Sequence, residues 1–306
     1  MLTFVNEKKW ANSMTMTKNA RLRAMIASPE LSFLMESHNA LSAKIAEQAG
    51  FAGLWASGLT ISASLGLSDR NEASWTQVLD VVEFITDHVE IPVLLDGDTG
   101  FGNYHNVIRL VKKLCQKNVS GVCIEDKIFP KMNSFLGEQQ QLADISDFCS
   151  KIQAARDAQT DDDFVIVART EALISGLGMA EALRRAERYH AAGADAILIH
   201  SKRADAEEVL TFASEWANRS PLVIVPTKYY ATPTDVYRRA SISTVIWANH
   251  SLRSSIIAMQ NATRHIFEHQ SISRLEPDIA TLEELFALTN EVNASQADHR
   301  YKAVRE

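Results

Sequence analysis

From residue 33 onward the chain alternates short apolar runs with longer segments of helical periodicity. The runs are 33–36, 53–57, 92–96, 121–125, 164–169, 196–200, 222–226 and 244–248, and most are rich in Val, Ile and Leu. They are too short for helices, and their near-continuous apolar character suits parallel strands covered on both faces. Between them, Tyr104–Gln116 carries Val107, Leu110, Val111 and Leu114 at i, i+3, i+4 and i+7, a single stripe that should face the sheet. Ser74 with Gln77 forms a capping box that opens a helix over 75–89, and Thr281 with Glu284 does the same beyond the last strand. Helices over 180–191 and 205–216 lead to the next strand through short polar or Gly connections such as Ala192-Gly193-Ala194-Asp195.

Eight such units in about 235 residues match the α/β class and the period of a (β/α)8 TIM-type barrel. A two-domain α/β protein with an open sheet is the alternative. The expected organisation is an N-terminal extension over 1–16 and one barrel domain over 17–306 that includes a C-terminal helical extension. The segments before 33 and after 267 fall outside the barrel, as capping helices or oligomer contacts.

Composition narrows the partners. Of 306 residues 46% are hydrophobic, enough for a large core, and the net charge of −7 is spread without long blocks of one sign. Nucleic-acid and anionic-membrane surfaces therefore have little support, and small molecules become the expected partners. No apolar run approaches the roughly 20 residues of a membrane span, and residues 1–19 lack a signal-peptide core, so a cytoplasmic location is expected. Cys115, Cys123 and Cys149 lack metal-ligand spacing and read as packing thiols, as Trp10, Trp216 and Trp247 read as packing aromatics.

Barrel active sites sit at the C-terminal strand ends, and there the polar residues gather. The second to eighth runs lead into Trp55, Ser57 and Gly58; Asp96, Asp98 and Thr99; Glu125, Asp126 and Lys127; Arg169 and Glu171; His200, Ser201 and Lys202; Thr227 and Lys228; and Asn249 and His250. Asp96, Asp98 and Glu125 supply three hard oxygen ligands on adjacent strands, a set suited to Mg²⁺, or Mn²⁺ in its place. Equally, these carboxylates can pair with Arg169, Lys127 and Lys131 inside the barrel. Arg169 and His200, expected across the mouth from one another, suit an anionic group. Backbone amides at Ser57 and Gly58 offer a second anion-binding edge, unless Gly58 is only a turn residue. Residues 97–102 are Gly-rich but form neither a dinucleotide fingerprint nor a P-loop, which excludes NAD and ATP. The loop over 129–141 is longer than a barrel needs and reads as a lid.

At these positions the chain resembles the phosphoenolpyruvate mutase and isocitrate lyase superfamily, and within it the phosphoenolpyruvate mutases, over about residues 17–302. The most specific stretch is Glu125-Asp126-Lys127-Ile128-Phe129-Pro130-Lys131-Met132-Asn133-Ser134, the mutase signature E-D-K, five residues, N-S. Supporting matches are Asp96-Gly97-Asp98-Thr99-Gly100-Phe101-Gly102-Asn103, Ile199-His200-Ser201-Lys202, Val225-Pro226-Thr227-Lys228-Tyr229-Tyr230 and Ile246-Trp247-Ala248-Asn249-His250. The resemblance implies Mg²⁺-dependent interconversion of phosphoenolpyruvate and 3-phosphonopyruvate, the first step of phosphonate biosynthesis. It makes Asp96 the direct metal ligand, with Asp98, Glu125 and Asp69 acting through water. It puts Trp55 and the Ser57 and Gly58 amides at the pyruvyl end, and Arg169, His200, Asn133 and Ser134 around the phosphoryl group, with Lys131 and Asn133 on the lid. It also implies a homotetramer, a dimer of dimers, in which the helix over 253–268 is exchanged between subunits through Ile256, Met259, Thr263, Ile266 and Phe267.

Relatives differ mainly at the lid. Lyases of the superfamily carry Lys-Arg-Cys-Gly-His with an acid Cys, absent here. Phosphonopyruvate hydrolase resembles Asp-Thr-Ser where this chain has Met132-Asn133-Ser134, so Asn133 favours the mutase. A non-catalytic scaffold is the reading from another class. Two departures stand out: Ala56 replaces an expected Gly, whose added methyl would narrow the site, and Thr170 stands where Val is expected.

Overall fold

The computed structural model describes residues 16–135 and 140–291, together with 297, 300 and 301. Residues 1–15 of the expected extension, Trp10 with them, and 136–139 of the expected lid lie outside the described residues. The chain divides into two compact units, one up to Asn249 and one from His250.

The first unit is a closed barrel of eight parallel strands in sequence order. The strands are β1 (Ser32–Ser37), β2 (Leu54–Ala56), β3 (Val93–Asp96), β4 (Gly121–Glu125), β5 (Val165–Thr170), β6 (Ala196–Ile199), β7 (Leu222–Ile224) and β8 (Thr244–Trp247). Pairing of β1 with β8 through Ser32 and Thr244 closes the ring and rules out the open sheet. The helices are α1 (Lys18–Ala27), α2 (Ala40–Gln48), α3 (Gly58–Ser64), α4 (Trp75–His88), α5 (Tyr104–Gln116), α6 (Ile145–Ala158), α7 (Met179–Ala191), α8 (Glu207–Trp216) and α9 (Thr234–Arg239). The stripe on α5 is buried as expected, and Ser74 and Gln77 close their capping box.

Each strand alternates between two apolar layers. Leu54, Leu95, Val122, Ile124, Ile166, Ala168, Ile197 and Ile199 pack outward with the helices, burying Val78, Val107, Leu110, Phe148 and Phe212. Leu34, Trp55, Leu94, Cys123, Val165, Val167, Leu198 and Ile246 fill the interior with Leu22 and Ile26 of α1, so α1 plugs the bottom. Gly121 makes room there, since a Cβ would stand 3.1 Å from Leu22 and 2.6 Å from the Val165 carbonyl.

Several strands stop short of the expected apolar runs. β6 ends at Ile199, where polar His200 and Ser201 follow, and β7 ends at Ile224, two residues before Pro226, which has no amide hydrogen to give a ladder. The helix α3 is unforeseen from periodicity. Its residues are poor helix formers, but Ser57 caps it and Thr60, Ile61 and Ser62 are buried.

The second unit comprises α10 (His250–His269), a 3-10 turn (Glu276–Asp278) and α11 (Leu282–Leu288), the last opened by the Thr281 and Glu284 capping box. No described residue of α10 is buried, and Phe267 is 85% exposed. Among the described residues no helix is long and apolar enough to cross a membrane.

The loop after β3 depends on Gly100, which has φ +83° and whose Cβ would fall 2.4 Å from Val107 of α5. Gly100→Ala should therefore cost about 1–3 kcal/mol of folding stability. A denaturant melt checks this, and an unchanged midpoint would contradict it.

Candidate functional site

The strand pleat that fills the interior also aims the site. Asp96 follows Leu94, Glu125 follows Cys123 and Arg169 follows Val167, each two residues on and so on the interior side of the same strand. Register places Asp96 beside Cys123 and Glu125 beside Arg169. Asp98 sits on the loop beyond β3 with φ +49°, and its carbonyl accepts from the Glu125 amide at 2.7 Å. Lys151 of α6 donates to the Thr99 carbonyl at 2.8 Å, which ties that loop to the helix layer.

The acids are buried and only partly satisfied. Asp96 receives long bonds from the amides of Gly58 at 3.3 Å and Asp98 at 3.4 Å. Burial raises its carboxyl above the ordinary value, and Glu125 and Asp69 add to that against Lys131 and Arg169. Burial likewise lifts Asp98 to about 7, reinforced by Asp96 and Asp69 and opposed by Lys131. Lys131 bridges Asp98 at 2.6 Å and Asp69 at 2.7 Å. Burial opposes its charge, yet Asp98, Asp96, Glu125 and Asp69 together hold it well above the usual lysine range.

Arg169 takes Glu125 at 3.2 Å and Glu171 at 2.5 Å through Nε, and its Nη2 reaches His200 Nδ1 at 2.8 Å. Arg169 and His200 therefore stand on neighbouring strands in direct contact, which corrects the expectation that they lie across the mouth; β5 and β6 are adjacent in the ring. Glu171 also contacts His200 Nδ1 at 2.8 Å, accepts from the Ser134 hydroxyl at 2.7 Å, and pairs with Lys127 at 3.3 Å. Burial opposes ionisation of Glu171, but Arg169, His200 and Lys127 hold it well below the carboxylate range. His200 is pushed down, by burial first and then by Arg169, which favours neutral imidazole.

The loop after β4 comes down onto this cluster. Lys127 donates to the Met132 carbonyl at 2.8 Å and to Ser134 at 2.6 Å, and Ser134 accepts from Arg169 at 3.0 Å. Asn133 donates to Asp69 at 2.6 Å. Lys131 is tied through its own amide to Asn71 at 2.7 Å, and Asn71 donates to Asp98 at 2.7 Å. One cavity collects the result. It is lined by Asp69, Asp96, Lys131, Asn133, Ser134, Arg169 and His200, with Trp55, Leu59, Phe135, Val225 and Ala248 as apolar walls and Ser57, Thr227 and Asn249 as further polar groups.

Other expectations resolve unevenly. The Ser57 amide is committed to the Ser37 carbonyl at 3.3 Å and the Gly58 amide to Asp96, so both are engaged as they stand. Ala56 packs in the outer layer with the helices, because the pleat turns it away from the cavity; its methyl does not narrow the site. Thr170 also points outward and donates to Asp126 at 3.2 Å, within a buried cluster with Arg185 and Tyr189 that props the loop. Cys123 is buried in the interior and its thiol is pushed up by burial, in keeping with packing. Asn71 and Phe135 escaped sequence reading, for neither lies in a strand-end position or a spacing that marks a partner.

The donors suit a hard divalent cation. Asp98 Oδ1 and Glu125 Oε1 are buried without hydrogen bonds, although Lys131 pairs with the first and Lys127 stands 3.8 Å from the second. Among the described residues Asp69, Asp96, Asp98, Glu125 and Glu171 share Lys127, Lys131 and Arg169, an excess of acid that a divalent cation would offset. Among the described residues no three acidic, His or Cys side chains converge into a ready cage. Mg²⁺ does not require one, since it keeps several waters and takes one or two carboxylates.

Fold and site together define a barrel enzyme that binds a small anionic substrate beside a cluster of hard oxygen donors. The model of the phosphoenolpyruvate phosphomutase family matches residues 22–267, and the chain belongs to that family. A phosphoenolpyruvate phosphomutase of Tetrahymena pyriformis is 54% identical over 285 residues, covering 93% of this chain and 95% of that one. The crystal structure of phosphoenolpyruvate phosphomutase from Streptomyces platensis subsp. rosaceus superposes with a TM-score of 0.90 at 41% identity, covering 92% and 99%. A phosphonopyruvate hydrolase in complex with oxalate and Mg²⁺ superposes with a TM-score of 0.88 at 39% identity, covering 94% and 99%.

A carboxyl raised to about 7 at Asp98 is largely protonated on the acid side of neutrality, whereas a cation takes the ionised form. Mg²⁺ affinity, followed by calorimetry, should therefore climb between about pH 6 and about pH 8 with release of protons. A pH-independent affinity would count against Asp98 as a donor.

Proposed function

We propose that the protein interconverts phosphoenolpyruvate and 3-phosphonopyruvate, an isomerase moving one phosphoryl group from oxygen to carbon, and so opens phosphonate biosynthesis. The observation that carries this is one cavity where Asp69 and Asp96 meet the Arg169 and His200 pair under Lys131, Asn133 and Ser134, with Asp98 joined to it through Lys131 and Glu125 through Arg169. The related hydrolase in complex with oxalate and Mg²⁺ supports the metal.

In this reading Asp96, Asp98 and Glu125 would hold Mg²⁺, which would supply positive charge to the substrate's oxygens. Lys131, now on Asp98 and Asp69, is free to shift its charge toward the substrate once those acids have another partner. Trp55 and the Ser57 and Gly58 amides receive the pyruvyl end, the amides giving up the long bonds that they make here to the Ser37 carbonyl and Asp96. Arg169, His200, Asn133 and Ser134 surround the phosphoryl group. A loose, metaphosphate-like phosphoryl needs cradling and alignment more than covalent help. The O–P bond breaks, the enolate carbon of the same pyruvyl fragment forms the C–P bond, and no proton need be exchanged. Water must stay out, or pyruvate and phosphate result. Asp69, which burial opposes but Lys131 and Asn133 keep ionised below its ordinary range, positions both of those side chains.

The test is phosphorus NMR of the purified protein with 3-phosphonopyruvate, with and without Mg²⁺ chelation. Phosphoenolpyruvate is expected. Inorganic phosphate as the first product would instead mark a hydrolase, and no change a lyase or a non-catalytic scaffold. Asn133→Ala should lose about 2–4 kcal/mol of transition-state stabilisation while remaining folded. Unchanged turnover would remove Asn133 from the cradle.

A homotetramer built as a dimer of dimers, working in the cytoplasm, completes the reading. Its support is the exposed apolar set Ile256, Ile257, Met259, Ile266 and Phe267 along α10, which suits burial against a second copy. Light scattering at micromolar concentration should report a tetramer; a stable monomer would overturn helix exchange.

A further inference from the structure

We propose that Glu171 is a positioning residue that sets the phosphoryl-binding end of the cavity, an inference that rests on the function proposed above. Glu171 itself is not among the groups that line the cavity, yet three that do are fastened to it. Its Oε1 accepts from Arg169 Nε at 2.5 Å and stands 2.8 Å from His200 Nδ1, while its Oε2 accepts from Ser134 at 2.7 Å. The side chain is wholly buried, so no water competes for these bonds.

The geometry at His200 makes the role specific. Its Nδ1 lies 2.8 Å both from Arg169 Nη2, which only donates, and from Glu171, which only accepts when ionised. One ring nitrogen cannot satisfy both in one protonation state. Glu171 therefore governs whether Nδ1 carries a proton, and with it what the remaining Nε2 presents to an anionic ligand. The ring is neutral as it stands, and with Nδ1–H held on Glu171 its bare Nε2 becomes an Nε2–H donor to a phosphoryl oxygen only when an arriving anion draws a second proton onto the ring. Ser134 is held as fully: it donates to Glu171 and accepts from Lys127 at 2.6 Å and Arg169 at 3.0 Å. Removing the carboxylate thus loosens the Arg, the His and the Ser together, while Trp55 and Asp96 at the other end keep their contacts.

The experiment compares wild type with Glu171→Gln in the presence of Mg²⁺. Calorimetry follows two probes: oxalate, which has no tetrahedral anionic group, and sulfopyruvate, which carries one. A positioning role predicts that Glu171→Gln binds oxalate within about threefold of wild type, binds sulfopyruvate about tenfold or more weakly, and turns over about a hundredfold more slowly. Parallel loss of both affinities, or kcat/KM within about threefold of wild type, would overturn it. If wild type forms no phosphoenolpyruvate, the proposed function fails, while the oxalate-to-sulfopyruvate ratio still decides the role of Glu171. Should the Gln variant fail to fold, Glu171→Asp, which keeps the charge but shortens the reach, is expected to give the same split; full activity and unchanged sulfopyruvate affinity in it would refute a geometric role.

Discussion

The structure depends above all on keeping charge at the mouth of a closed barrel, where removing an ion from water costs several kcal/mol unless it is compensated. Among the described residues Asp69, Asp96, Asp98, Glu125 and Glu171 share Lys127, Lys131 and Arg169 there, beside the Glu36 and His38 pair at the end of β1, and most contacts in the site follow from how they share. Lys131 alone serves both Asp98 and Asp69. Arg169 serves both Glu125 and Glu171. The sharing is incomplete on the side of Asp96 and Asp98, whose carboxyls are raised by burial, and more than complete around Glu171, whose carboxyl is depressed. The cavity thus has a cation-seeking end and an anion-holding end, and this polarity suits a substrate whose two ends differ in the same sense.

The barrel makes that polarity affordable. Strands with Leu94, Cys123 and Val167 packed on the axis need only one more interior position each to bring Asp96, Glu125 and Arg169 to the mouth. Because α1 stops the opposite end with Leu22 and Ile26, the interior is a packed column and the polar residues have one exit. Neighbouring registers then do the fine placement. Glu125 opposite Arg169 fixes an ion pair across the β4 and β5 ladder, independent of any loop.

How much of this could be read from the sequence follows from the same division. Residues on strands were legible, since a period of two and a strand end are enough to put Asp96, Glu125 and Arg169 on one side. Ala56 shows the rule in reverse: lying between Trp55 and Ser57, it had to face the helices, and its methyl never threatened the cavity. Distances around the ring were less legible. Arg169 and His200 were expected apart, although one strand step separates them and their side chains touch. Loop partners were legible only in part: Lys131 was expected to pair with the acids and does so at Asp98, but Asn71 was not seen. Asn71 meets Asp98 and Lys131 across 27 and 60 residues of sequence, a pairing that no local pattern encodes. Glu171 was visible as a charge at a strand end, but its four partners come from three segments that only the folded chain assembles.

The contest between mutase and hydrolase chemistry turns on the same network. Both need the phosphoryl group loosened; they differ in whether water or the enolate carbon meets it. Hydrogen bonds from a docked loop decide that by occupying the space water would take. Asn133 is held by Asp69, Ser134 by Glu171 and Lys127, and Lys131 by Asp69 and Asp98, so positions 131, 133 and 134 of the loop are anchored to connections after three different strands besides their own. In the proposed function a loop fixed at these points is what would keep water from Arg169 and His200. The anchors stand at the mouth, above the apolar layers that hold the barrel together, so a change at one of them bears first on the phosphoryl end of the cavity.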